Sequence, residues 1–326
     1  MQARLDHQRM TFWIVMLLLG QLVWGAAHLH AAELTSAADA KAAFDAAMAK
    51  PLAERVPALE ALEQGIDTLL FEGSLTGKDR VQVLLIKYQA QVNQAKYPES
   101  HASFGQYAQA LWEWPQRERA RATLVEQVRH ARLMEDRVQC MAIADAALKH
   151  WGSDEQVAPA LIYMKARSVS ELPGRAQEAI EPLQTVITNY PDSPWRPQAM
   201  RWLAHLEGNG FGEGEDAALG VLALMETQYT GTWWAQYANM KPAMIWEVRR
   251  GEPQKALEIY QQTLETYPDH KFATFCRAQI ERLQGVIENQ LIQDALEGLA
   301  QADEVNQEAP SPRLMLPDDH LLTRAD

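Results

Sequence analysis

At 326 residues, with 47% hydrophobic and 22% charged side chains, the chain has the composition of a folded globular protein and is neither disordered nor collagen-like. Its 30 Lys+Arg against 43 Asp+Glu leave a formal net charge of −13, which argues against nucleic-acid binding because phosphate contacts need a basic surface. Two cysteines in all exclude a disulfide scaffold and any cysteine-based zinc cluster.

The chain begins with a polar head carrying Arg4 and Arg9, then an apolar stretch over 11–27, then small residues up to Ala32. This three-part layout predicts a secretory signal over residues 1–32, with cleavage after Ala31 or Ala32 favoured over Ala27. An uncleaved anchor through residues 11–27 is the alternative, since about 18 apolar residues just span a bilayer. Both readings export the bulk of the chain, and the expected location is periplasmic, with at most a tether to the inner membrane. No cysteine stands near the cleavage region to carry a lipid.

Residues 33–115 read as an N-terminal helical region, with alanine-rich helices over 36–49, 54–72 and 78–96. Breaks are expected at Thr76-Gly77-Lys78-Asp79 and Tyr97-Pro98-Glu99-Ser100. These helices are either degenerate repeats or a cap on the array beyond them.

Between residues 116 and 300 a period emerges. Trp151, Tyr190, Tyr229 and Tyr267 recur 38 or 39 residues apart, each succeeded by turn residues such as Pro191-Asp192-Ser193 and Pro268-Asp269-His270. Eleven positions before each aromatic stand Cys140, Ala179, Ala218 and Ala256; nine after stand Ala160, Ala199, Ala238 and Cys276. Large residues fill neighbouring columns: Met141, Ile180, Leu219 and Leu257, then Ala144 (the small exception), Leu183, Leu222 and Tyr260. A recurring small residue marks a place where two helix backbones approach closely, and the large ones beside it fill the remaining space.

These residues resemble the tetratricopeptide repeat. Trp195, Ala199 and Trp202 match the aromatic–small–aromatic half of its pattern; Ala179, Leu183 and Pro191, and again Ala256, Tyr260 and Pro268, match the other half. The run Tyr190-Pro191-Asp192-Ser193-Pro194 looks like repeats of exported bacterial proteins of the cell envelope. The period departs from the family's 34 residues, and Pro242 falls where a first helix should continue, so a kink or early end is expected there. The resemblance implies an all-α fold, an α-solenoid of antiparallel helix pairs wound as a right-handed superhelix, with no strands. Residues 286–300 should form an amphipathic closing helix, with Val286, Ile287, Leu291, Ala295, Leu296 and Leu299 along one side. Beyond residue 301, Pro310, Pro312 and Pro317 predict a flexible tail.

Candidate chemistry is sparse. The repeat frame sets Cys140 and Cys276 many helices apart, so they should remain unpaired and pack as alanine substitutes. Gly208-Asn209-Gly210-Phe211-Gly212-Glu213-Gly214 lacks the Gly-Lys-Ser/Thr ending of a phosphate loop and reads as a turn between paired helices. Trp195, Trp202 and Trp234 sit in packing columns, whereas Trp112, Trp114, Trp233 and Trp246 are left over. Arg117-Glu118-Arg119-Ala120-Arg121 reads as a solvated helix face. No histidine pair has zinc-site spacing, and neither a metal nor a cofactor is expected.

The resemblance further implies a concave groove lined by the first helix of each pair, which in such a stack holds a peptide or another protein. The expected lining is Tyr163, Arg167, Arg201, His205, Lys241 and Gln279, with Trp233 as an added contact. The resulting expectation is a non-enzymatic periplasmic adaptor that binds a protein or peptide in envelope assembly, division or secretion, without nucleic acid. Alternatives are the non-catalytic superhelical part of a cell-wall-acting system, or a self-associating structural protein. Too few residues lie beyond the last repeat for a catalytic domain.

Overall fold

A computed structural model describes residues 34–134 and 136–308. Residues 1–32, expected to be a signal or anchor, and residues 309–326 of the tail expected from 301 lie outside the described residues. Among the described residues there are thirteen α-helices and no strand, as the repeat pattern requires. None of these helices is long and apolar enough to cross a membrane.

The chain divides into two compact units, which meet in sequence between Gly214 and Glu215. The first holds α1 (Ala37–Met48), α2 (Leu52–Phe71), α3 (Gly77–Asn93), α4 (Tyr97–Glu113), α5 (Arg117–Leu133), α6 (Arg137–Trp151), α7 (Ala158–Ser170), α8 (Ile180–Asn189) and α9 (Arg196–Glu207). A single 3-10 turn, Ala176–Ala179, leads into α8. The second unit holds α10 (Glu215–Gln228), α11 (Trp233–Val248), α12 (Pro253–Thr266) and α13 (Ala273–Glu308).

The helix starts obey local chemistry. Ser36 Oγ accepts from Asp39 N (3.1 Å) ahead of α1, Asp136 Oδ1 from Gln139 N (2.8 Å) ahead of α6, and Thr232 Oγ1 from Trp234 N (3.2 Å) ahead of α11, each satisfying a donor that has no partner within the helix. Pro98, Pro159, Pro197 and Pro253 stand in first turns, where the missing N–H costs nothing. Gly174 and Gly251, in equivalent turns between paired helices, adopt φ of 73° and 67°, a region closed to most side chains.

Within each unit successive helices pack against one another in order, and in the first unit α1–α3, α4–α6, α5–α7 and α7–α9 also touch. Contact between alternate helices is what stacked antiparallel hairpins produce. The small-residue columns lie in the core. Cys140, Ala218 and Ala256 on second helices, Ala179 at the end of the 3-10 turn that leads into one, and Ala160, Ala199, Ala238 and Cys276 on first helices are all buried to at least 99%. Both cysteines are free. The N-terminal helices α1–α3 enclose their own core of Leu59, Ile66, Leu69, Val83 and Ile86.

Three expectations need correction. Helix α11 does not end at Pro242 but continues to Val248: the proline removes one intrahelical hydrogen bond, and packing on α10 and α12 supports the helix on both sides of it. No separate closing helix exists at 286–300: the segment continues α13, which persists to Glu308, past the point where the helix was expected to give way to a flexible tail. Its apolar side faces outward, with Leu291 and Leu299 about two-thirds exposed. Finally, Arg117 to Arg121 is a solvated face only at Glu118 and Arg119. Arg117 lies 3.6 Å from the Trp112 ring and 4.5 Å from that of Trp151, and Arg121 Nε donates to the buried Asp154 carboxylate at 3.1 Å.

Candidate partner-binding face

Helices α7 and α9 are the first helices of consecutive pairs, and their side chains interlock. Tyr163 of α7 is buried and stacks obliquely on Trp195, with ring centroids 5.5 Å apart. One helical turn on, Arg167 Nη1 donates weakly to the Tyr163 hydroxyl at 3.4 Å, and the guanidinium lies over the Trp202 ring at 3.8 Å. Trp202 Nε1 donates to Ser170 Oγ (2.9 Å), and its ring sits 4.7 Å from that of His205. Trp202 therefore bridges α9 to α7 and remains partly exposed.

Behind this platform three guanidiniums converge on one carboxylate. Arg132 Nη2, from α5, donates to Glu171 Oε1 at 2.9 Å, and Arg167 Nε donates to the same oxygen at 3.1 Å. Arg137, from α6, pairs with the other oxygen. Burial works to raise the Glu171 carboxyl, but Arg132, Arg137 and Arg167 outweigh it and hold the group below the usual carboxylate range. Three arginines against Glu171 and the neighbouring Asp136 leave a local positive excess of about one, on a chain that is acidic as a whole. Partly exposed cations beside an aromatic ring suit a carboxylate with an apolar neighbour.

Tyr163, Arg167 and His205 thus come together, through Trp202. Arg201 stands exposed on α9, the residue before Trp202. Trp233, Lys241 and Gln279 belong to the second unit, each with its own neighbours. Trp233 is 38% exposed, stacks on Trp234 at 3.8 Å and carries Lys271 Nζ 5.7 Å from its centroid. Lys241 Nζ lies 3.4 Å from Met244 Sδ, and Gln279 Oε1 accepts from Arg282 Nε at 2.9 Å. Of the other unassigned tryptophans, Trp112 packs edge-on against Trp151, Trp114 is buried, and Trp246 lies under Arg250.

Arg132, Arg137, Glu171 and Trp202 were not among the expected lining residues. One signal was present: Arg132 and Glu171 are 39 residues apart, one repeat period, so the stacking of like helices makes them lateral neighbours.

Elsewhere, the glycine-rich segment 208–214 is a turn filled by the buried Glu207 carboxylate, which accepts from Gly214 N at 3.2 Å; an anion already occupies the place a phosphate would take. A cleft of about 690 Å³ opens at the inter-pair turns, lined by Glu155, Gln156 and residues Asn189 to Pro194, and contains none of the expected residues. Cys276 Sγ lies 3.8 Å from His270 Nε2, but His270 Nδ1 accepts from Phe272 N. Burial pushes that thiol up to about 11 and the imidazole down, which disfavours the ion pair that a nucleophilic cysteine needs. Among the described residues no cluster of His, Cys, Asp or Glu could hold a metal ion.

Comparison with known proteins agrees with the packing. No curated protein matches the chain. The family model described as tetratricopeptide repeat matches residues 160–193 and 234–270, which are the pairs α7–α8 and α11–α12. Sequence pattern, helix pairing and buried columns converge there, and the chain carries tetratricopeptide repeats at these two places.

Proposed function

We propose that the chain is a non-catalytic scaffold, exported to the periplasm, that holds a segment of a partner protein against the α7–α9 face during envelope assembly, division or secretion. Tetratricopeptide repeats support the scaffold reading, since such stacks present extended surfaces to peptides and proteins. The layout of residues 1–32 supports export. The observation that carries the site is the Trp202 platform, flanked by Arg167 and backed by two further arginines. A partner segment offering a carboxylate next to an apolar or aromatic side chain suits it.

A photo-crosslinking residue at the exposed position 201, in the native host, should trap a discrete partner identified by mass spectrometry. Arg167→Gln should weaken that crosslink at least about tenfold, with a melting temperature within a few degrees of the parent. Absence of a discrete partner, equal trapping by the variant, or turnover of peptidoglycan by the purified chain would each overturn the reading.

A further inference from the structure

Among the described residues, nothing covers the distal half of α13. The helix is 36 residues long, about 54 Å at 1.5 Å per residue, whereas its packing partner α12 has 14 residues and spans about 21 Å. Up to Leu283, which is fully buried, α13 faces its neighbour; from Glu288 to Leu299 every residue is exposed. Yet this part is not built like a solvated helix. Leu291, Ile292, Ala295, Leu296 and Leu299 fall within an arc of about 140° at 100° per residue, with Glu288 on the same side about one turn ahead of them, while Asn289, Gln290, Gln293, Asp294 and Glu297 occupy the rest. Their exposures of 64%, 49%, 54% and 65% for Leu291, Ile292, Leu296 and Leu299 make a continuous, uncovered apolar strip.

The spacing 292, 295, 296 and 299 is the i, i+3, i+4, i+7 ladder by which one helix seats against another. Charge then selects the occupant. Between Arg282 and Arg313 the sequence contains Glu288, Asp294, Glu297, Asp303, Glu304 and Glu308 and no lysine or arginine. A second copy would bring two such acidic segments side by side with nothing to neutralise them, and an anionic membrane would be repelled likewise. We infer that the exposed strip of α13 is a docking face for a basic amphipathic helix of another protein, whose apolar side covers Leu291, Ile292, Leu296 and Leu299 and whose lysines or arginines meet the flanking acids. This face belongs to the second unit and is independent of the α7–α9 reading.

The test uses the full chain and two synthetic 21-residue helices, identical in their Leu/Ile seam, one flanked by lysine and the other by glutamate. Fluorescence anisotropy should show binding of the lysine peptide only, and weakening as salt rises. The double variant Leu296→Gln/Leu299→Gln should lose at least about tenfold in affinity with an unchanged melting temperature, because both side chains already face solvent. Several results would overturn the inference: no binding of the lysine peptide, equal binding of both peptides, or equal binding by parent and variant. So would a dimer seen by light scattering, or binding to phosphatidylglycerol vesicles, that the double variant abolishes, because the occupant would then be a second copy or a membrane.

Discussion

Asp154 joins two kinds of stabilisation in one carboxylate, and two substitutions separate them. Its side chain is 3% exposed. Oδ1 accepts from Gln156 N (3.1 Å) and Val157 N (3.2 Å), capping the turn that opens α7. Oδ2 accepts from Arg121 Nε at 3.1 Å, with Arg117 Nη2 at 3.8 Å, which ties α7 back to α5. A cap of this kind contributes about 1 kcal/mol, and asparagine caps nearly as well as aspartate. A fully buried ion pair broken on one side costs about 3–5 kcal/mol. Here Arg117 and Arg121 are 31% and 24% exposed and can turn toward water, so about 1–2 kcal/mol is the better figure. Asp154→Asn should therefore cost about 1–2 kcal/mol, and Asp154→Ala about 2–3 kcal/mol, because it loses the cap as well. Urea unfolding monitored by circular dichroism measures both, the midpoint falling at constant slope. If Asn costs as much as Ala, or if both lie within about 0.5 kcal/mol of the parent, the division into cap and ion pair is wrong.

Glu171→Gln gives a pH signature. Because the folded carboxyl is held below its ordinary value of 4.5, it contributes stability above that pH, lost as pH falls through the folded pKa. The variant should be less stable than the parent at pH 7, by roughly 1–2 kcal/mol, and the gap should narrow toward pH 3; a gap independent of pH in thermal melts would refute the three-arginine account. Ala199→Leu adds three heavy atoms to a fully buried column position and should cost about 1–3 kcal/mol through overpacking. Ala278→Leu, at an exposed site of α13, should stay within about 0.5 kcal/mol, and equal effects at the two sites would remove the packing argument.

The helix hairpins and their register are legible in the residue pattern alone. Ala179, Ala199, Ala218 and Ala256 recur because each repeat poses the same local problem, a close approach of two helix backbones, and a problem solved repeatedly leaves a periodic trace. Of the expected binding residues, Tyr163, Arg167 and His205 were placed together by that register. The remaining contacts arise only when the helices stack. Glu171 draws Arg132 and Arg137 from two other helices, and Asp154 draws Arg121 across 33 positions, because long side chains meet wherever stacking brings their tips together, and their reach spans several sequence offsets. The same holds for Arg117: a charge run reads as solvated until Trp112 and Trp151 are seen beneath it. Along α13 the apolar arc was visible in the sequence, but its exposure was not, since periodicity reports that a helix has an apolar side and only neighbouring helices decide whether that side is covered.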